Sequence, residues 1–499
     1  MTEVSDYLKN EREQEWRVTL RGKLKNKERT QLPRVCMTEQ DPDRRKYDFT
    51  EVNCGLSEEE ARMEAKRCLD CVTPTCITGC PVGINIPKFI KKIEEGDFLE
   101  SARVLKETNT LPAVCGRVCP QEVQCEQACF YTQKLNKPAV AIGYLERFVA
   151  DFEQSSGKMS VPVITGKNGI KVASIGSGPA GLAFAADMVK YGYDVTVFEA
   201  LHEIGGVLKY GIPEFRLPNR IVDVEIDVLK KMGVKFVKNF IVGATASVQE
   251  LREEGFKAFM VGSGAGLPNF MHIPGENYIG IYSSNEYLTR VNLMSAADPE
   301  YDTPVISGKK VAVIGGGNTA MDAVRTSKRL GAERSMIIYR RSIGEMPARK
   351  EEIKHAQEEG VEFMNLHNPL EYYADEKGRV CKMKLQKMEL GEPDASGRRR
   401  PIPIEGSEFT MEVDTVVVSV GVSPNPLIPS SMKELEVTRW GTIKVDPDTM
   451  HSSVEGVFAG GDIVRGGATV ILAMGDGRKA ASAMDQYLKA GEQVEHITG

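Results

Sequence analysis

The spacing of apolar residues changes character twice along this chain. Residues 1–60 are charge-rich and only weakly periodic, which predicts an irregular arm wrapped on another part of the molecule. Residues 86–105 (IPKFIKKIEEGDFLESARVL) repeat apolar positions at helical spacing, broken once at Gly96-Asp97, and read as two short amphipathic helices. A further helical stretch covers 140–152, and Ser155-Ser156-Gly157 opens a linker. From Lys171 the rhythm becomes strand, glycine turn, helix, strand: KVASIG, then Gly178-Pro179-Ala180-Gly181 with an apolar helix, then DVTVFE. The plan restarts at Lys310 with KVAVIG and reaches its next strand at SMIIYRR. One plan written twice predicts two doubly wound dinucleotide-binding units. The strand-like segment 415–420 and GVFAGGD at 456–462 read as a return to the first unit, so that the second is inserted in it. The expected architecture is multidomain, α plus α/β. A helical domain spans 1–155, a first Rossmann-like domain spans 168–298 and 415–499, and a second spans 299–414.

Composition adds limits. A length of 499 residues suits about three domains, and 41% apolar with 27% charged residues is a globular balance. The net charge of −6 argues against a nucleic-acid or anionic-membrane surface. Arg398-Arg399-Arg400 is expected in a solvated loop. No apolar run is long enough to cross a bilayer, and MTEVSDYLKNEREQEW is too charged for a signal peptide. A cytoplasmic location is therefore expected, where structural disulfides are rare and dense cysteines favour metal.

Eight of the eleven cysteines fall between Cys68 and Cys129. They form Cys68-x2-Cys71-x4-Cys76-x3-Cys80-Pro81 and Cys115-x3-Cys119-Pro120-x5-Cys125-x3-Cys129. Such runs hold iron–sulfur clusters, each needing four ligands, so counting alone allows two 4Fe-4S clusters. Paired short zinc knuckles fit this spacing poorly. Cys36, Cys54 and Cys381 stand apart.

The first glycine fingerprint is Gly176-Ser177-Gly178-Pro179-Ala180-Gly181, between a strand and a helix. Its glycines let backbone approach a pyrophosphate at a helix N-terminus, and Glu199 closes the next strand where an acid accepts from ribose hydroxyls. The second is Gly315-Gly316-Gly317-Asn318-Thr319-Ala320, and its following strand ends in Arg340-Arg341 in place of an acid. A guanidinium meets a 2′-phosphate that an acid would repel, so NADP(H) is expected over NAD(H).

The segments CLDCVTPTCITGCPVGINIP, LPAVCGRVCPQEVQCEQAC and VAIGYLERF together resemble the N-terminal domain of the glutamate synthase small-subunit family. That domain also occurs in dihydropyrimidine dehydrogenase and in the larger subunit of NADH-dependent ferredoxin:NADP oxidoreductase. The resemblance implies that Cys68, Cys71, Cys76 and Cys129 hold one 4Fe-4S cluster. It implies Cys80, Cys119 and Cys125 for the other, with Glu146 as an oxygen ligand, whereas simple counting would use Cys115. From about residue 170 onward, Gly205-Gly206 in GGVLKYGIP and the segment GVFAGGDIVRGGATVILAMGDG resemble flavoproteins with two dinucleotide-binding domains. By that resemblance Gly461 and Asp462 belong to an FAD site, Asp462 at the ribityl–phosphate region. The 467–470 stretch, with Ala468 and Thr469, would cap the isoalloxazine.

Nicotinamide gives electrons in pairs, a cluster accepts one, and flavin bridges the two. The expected function is an NADPH-linked FAD and iron–sulfur oxidoreductase subunit with no side-chain nucleophile or general base. Its partner would be a glutamate synthase large subunit, which makes glutamate from glutamine and 2-oxoglutarate in the complex. The alternatives are the electron-bifurcating NADH-dependent ferredoxin:NADP oxidoreductase, with a small ferredoxin–NADP reductase-like subunit and ferredoxin as acceptor, and a non-enzymatic electron-transfer adaptor. Glu345-Met346-Pro347-Ala348 also matches the family and is given no role from sequence.

Overall fold

Parallel strands form where the apolar runs are unbroken. In the computed structural model, which describes residues 2–164, 166–395 and 397–498, Lys171–Ile175 and Lys310–Ile314 bury every residue after the first. Strands covered by helices on both faces read this way. The first sheet has the order Val457–Ala459, Phe256–Val261, Lys171–Ile175, Asp194–Phe198, Lys235–Val237, every pairing parallel. The second runs Glu362–Asn365, Arg334–Tyr339, Lys310–Ile314, Thr415–Val418, Ile281–Ser283, again all parallel.

Two sequence expectations are corrected here. Thr415–Val418 pairs with Lys310–Ile314 and so lies in the second sheet, not the first. Ile281–Ser283 pairs beside it, so the second unit begins before residue 281 and extends past 418 and is not confined to 299–414. A strand buried along its whole length, as TVVV is, carries no periodicity that names its sheet. The chain returns to the first sheet only at Val457–Ala459. The arginine run is no loop either. Arg399–Pro403 is a strand antiparallel to Val380–Pro393, and Arg399 donates to the carbonyls of Leu390 at 2.8 Å and Gly391 at 3.1 Å.

The helical domain contains Ile86–Glu95, Phe98–Lys106, Pro112–Val118 and Ile142–Ser155. Gly96 ends the first helix at a φ of 99°, and Asp97 starts the second by accepting from Glu100 N at 3.2 Å. The arm expected to be irregular contains the helices Thr2–Arg12, Glu15–Lys23, Asn26–Arg29 and Pro42–Arg45. Its wrapping comes from arginines whose carboxylate partners are distant in sequence. Arg17 and Arg21 reach the buried Asp70, and Arg29 forks onto Glu94 at 2.8 and 2.9 Å. Arg45 reaches Glu358 at 2.7 Å and Glu359 at 3.0 Å on the second unit. Charge periodicity along the arm could not reveal these ties.

The closing helix, Val470–Thr498, joins the domains. A Cβ on Gly477 would lie 2.1 Å from the Ala180 carbonyl, and one on Gly475 would lie 3.0 Å from the Pro81 carbonyl. Glycine at these places lets the helix pack against Pro179–Lys190 on one side and the Cys80-Pro81 step on the other. Among the described residues no helix is long and apolar enough to cross a membrane.

Candidate functional site

A continuous cleft of about 1940 Å³ is lined by residues of both nucleotide-binding units. Single small-molecule sites occupy roughly 300–1,000 Å³, so this one has room for two dinucleotides. Gly176, Gly178, Pro179, Ala180, Glu199, Gly206, Gly461, Asp462, Ala468 and Thr469 line the first side. Gly315, Gly317, Asn318, Thr319, Arg340 and Arg341 line the second. Gly178 and Gly317 stand at the N-termini of Pro179–Lys190 and Asn318–Arg329, and a Cβ on either would meet nothing within 4 Å. Both helices thus open positive ends onto empty space of the kind a pyrophosphate fills.

Three of the expected residues stand behind the cleft. A Cβ on Gly181 would lie 2.1 Å from the Gly176 carbonyl, so Gly181 serves close packing of helix on strand. Ala320 is fully buried. Gly205 donates its N–H to Ser177 Oγ at 2.9 Å.

Glu199 organises the first turn: it accepts from Ser177 N at 2.9 Å, Ser177 Oγ at 2.5 Å and Leu201 N at 2.8 Å. Burial pushes the Asp462 carboxyl up to about 6, and it accepts from Ala468 N at 3.1 Å, closing its loop. Sequence reasoning missed Asp476. It is 1% exposed, takes both Arg465 donors at 2.6 Å and accepts from Gly461 N at 3.0 Å. Its only trace in sequence is a lone acid in the apolar run VILAMGD.

The two arginines separate. Arg341 is buried, donating to Asp394 at 2.6 Å and to the Arg399 carbonyl at 2.8 Å, so it fastens the 380–403 hairpin. Arg340 is exposed at the cleft and makes no ion pair among the described residues.

The cysteines form two groups. The Cys76 thiol is pushed up by burial and by the negative charges of Cys68, Cys129 and Cys71 close by; Cys68 rises to about 12, chiefly through burial. Burial first, then Glu126, Glu146, Cys80 and Cys119, push up Cys125. A small cavity is lined by Cys80, Cys119, Cys125 and Glu146 together with Cys115, Gln121 and Ile471. Burial lifts Cys80 to about 11 and Glu146 to about 8. Buried sulfur and carboxyl groups gathered so closely resist ionising together unless a cation compensates them, and iron fits that donor set. Glu146 is no solvated helix residue: it is 5% exposed and accepts from Asn109 Nδ2 at 2.7 Å. Cys115 lies in the same cavity, its Sγ 3.6 Å from Asn109 Oδ1 and 3.6 Å from Met474 Sδ. Asn109, unnoticed in the sequence, thus touches both candidates for the last ligand position. Elsewhere Glu39, His355 and Glu358 converge, but Arg45 and Lys354 already neutralise them.

Residues 44–158 match the family described as dihydropyrimidine dehydrogenase domain II, 4Fe-4S cluster, and residues 170–477 match pyridine nucleotide-disulphide oxidoreductase. The glutamate synthase [NADPH] small chain of Azospirillum brasilense is 40% identical over 452 residues, covering 89% of this chain and 93% of that one. Its Escherichia coli K12 counterpart is 38% identical over 455 residues, covering 89% and 95%. The chain belongs to the glutamate synthase small-chain family. It is an NADPH-dependent flavin and iron–sulfur oxidoreductase of that family. The small-chain likeness extends to a subunit inside other enzymes: the NADP(+)-dependent formate dehydrogenase subunit beta of Moorella thermoacetica is 40% identical over 443 residues, although only 60% of that longer chain is covered. Among solved structures, FprA from Mycobacterium tuberculosis superposes with a TM-score of 0.55 at 19% identity, over 66% of this chain and 86% of its own, a likeness of fold.

The two cavities meet at a shared wall. Val118 and Pro120 line the nucleotide cleft, while Cys119 between them lines the cysteine cavity. The closing helix repeats the pattern, Val470 and Ala473 facing the cleft and Ile471 the cavity.

Proposed function

We propose that this chain is the electron-input subunit of a two-component enzyme, taking reducing equivalents from NADPH and delivering them singly to a partner subunit. When bound, FAD exchanges electron pairs with a nicotinamide and single electrons with 4Fe-4S clusters. Gly176, Gly178 and the N-terminus of Pro179–Lys190 cradle the FAD pyrophosphate, with Glu199 at its ribose and Asp462, Ala468 and Thr469 beyond. Gly315, Gly317, Asn318 and Thr319 cradle that of NADPH, and Arg340 faces its 2′-phosphate. Cys68, Cys71, Cys76 and Cys129 hold one cluster; Cys80, Cys119, Cys125 and Glu146 hold the other.

The observation that carries this reading is the wall at Val118–Pro120, where Val118 and Pro120 line the nucleotide cleft and Cys119 between them lines the cysteine cavity. A second supports it: residues 170–477 contain a single cysteine, Cys381, so this stretch has no dithiol to carry electrons away. The span of the small-chain relatives, 93% and 95% of whose length is covered, favours a glutamate synthase large subunit as the partner. On this reading the chain alone has no glutamine-dependent activity. The test is anaerobic addition of NADPH to the purified protein: flavin absorbance bleaches and the spectrum of reduced clusters appears. A flavin band unchanged by NADPH removes the proposal.

A further inference from the structure

The segment Glu345-Met346-Pro347-Ala348, matched to the family yet given no task, continues into Arg349 and Lys350, and this stretch spans the distance between the second fingerprint and the cysteine cavity. At one end Ala348 N donates to the Gly316 carbonyl at 3.2 Å, and Arg349 N donates to Asn318 Oδ1 at 2.9 Å. Both acceptors belong to the glycine turn where NADP(H) is proposed to bind. At the other end the Arg349 guanidinium, on a residue 6% exposed, donates to the Arg117 carbonyl at 2.8 Å and to Gln121 Oε1 at 2.9 Å. Lys350 N donates to Glu122 Oε1 at 3.1 Å. Arg117 and Gln121 stand two residues either side of Cys119. Gln121 itself lines the cysteine cavity and donates to the Cys115 and Gly116 carbonyls, each at 3.3 Å. The guanidinium is also paired with Glu351 at 2.9 Å and with Glu122 at 3.7 Å, and its charge still acts on Cys119.

We infer that Arg349 is a positioning residue that couples nucleotide occupancy at the second fingerprint to the reduction potential of the cluster held by Cys80, Cys119, Cys125 and Glu146. One-electron reduction adds a negative charge to that cluster, and a buried cation held on its loop stabilises the reduced form. The backbone of the same cation hangs from Asn318 and its neighbour from Gly316. A nucleotide filling the glycine turn fixes those acceptors and, through one rigid segment, the guanidinium on the cluster loop. The two sites thereby share a coupling free energy. The inference rests on the cofactor assignment proposed above.

The experiment is an anaerobic potentiometric titration of the iron–sulfur-loaded protein, each cluster followed by its paramagnetic signal. Titrations are run with and without saturating tetrahydro-NADP, a redox-inert nicotinamide analogue. In the unaltered protein the analogue raises the potential of the cluster nearer the fingerprint. Arg349→Gln lowers that potential by about tenfold in the one-electron equilibrium, about 59 mV, and abolishes the response to the analogue, leaving the Cys68–Cys129 cluster unchanged. Arg349→Lys restores the resting potential in part because the charge returns. Should Arg349→Gln fail to load iron, Asn318→Ala cuts the strut where it meets the glycine turn; with the analogue raised until binding to this variant is saturated, it too abolishes the response. A potential indifferent to the analogue in the unaltered protein, or one that shifts equally in both clusters of Arg349→Gln, overturns the coupling. Absence of both iron signals from every protein overturns the cofactor assignment itself.

Discussion

Glu225, on the helix Asn219–Met232, projects from the first nucleotide-binding unit into the cluster domain, where it accepts from Ala113 N at 3.0 Å. It thereby satisfies a free N–H in the first turn of Pro112–Val118, the helix that leads to Cys119. Burial pushes its carboxyl from 4.5 up to about 7, against the Ala113 N–H, Lys106 and Arg117, which favour the charge, and with Glu153, which opposes it. Because the folded value lies above the unfolded one, the folded protein binds more protons between those pH values, and stability falls as pH rises through the window. The gap from 4.5 to about 7 corresponds to roughly 3 kcal/mol at about 1.4 kcal/mol per pH unit. Glu225→Gln keeps the shape of the protonated acid and cannot ionise. In a chain of several domains a single unfolding free energy is poorly defined, so the assay is hydrogen exchange of the Pro112–Val118 amides, compared between the two proteins at equal pH. Near pH 4, below the unfolded value, their protection should nearly coincide. At pH 8 the Gln protein should open about a hundredfold less often, the equivalent of roughly 3 kcal/mol. A difference that stays constant across this pH range would refute the argument from burial.

Glu146→Ala should roughly halve the iron content and remove one of two cluster spectra, checked by iron analysis and low-temperature spectroscopy; an unaltered spectrum would hand the ligand position to Cys115. Asp476→Ala leaves the buried Gly461 N–H without its acceptor and frees Arg465, a cost of about 1–3 kcal/mol. Flavin retained after gel filtration should fall correspondingly, by about tenfold or more in affinity. Arg340→Ala should weaken NADPH relative to NADH by about tenfold or more, as loss of a hydrogen bond to a charged group does, read from the two KM values. Arg341→Ala, by contrast, should weaken both nucleotides alike by loosening the hairpin that Asp394 fastens to it.

Much of the site could be read in order along the chain because its chemistry is local. The glycine turn 176–181, the acid at 199 and the second turn 315–320 declare themselves through spacing, since a phosphate cradle is built from consecutive backbone. The cysteine runs likewise announce metal, although dividing them into two sets joins Cys129 to residues fifty or more positions earlier, and no spacing states that partition. What sequence left open depends on surfaces that meet only after folding. Thr415–Val418 joined the second sheet because its neighbours on both sides came from residues 281–283 and 310–314. Arg341 is tied to Asp394 because a hairpin folds back over it.

The chain's linear order determined that nucleotides, iron and sulfur would be handled, because each of those tasks needs a fixed set of residues within one short segment. Tertiary structure alone decided how they connect: that Cys119 lines the cysteine cavity while its neighbours Val118 and Pro120 line the nucleotide cleft, that Glu146 is dry, and that Arg349 ties one site to the other. Those properties are distances and burials across domain junctions, and they arise where surfaces far apart in sequence exclude water together.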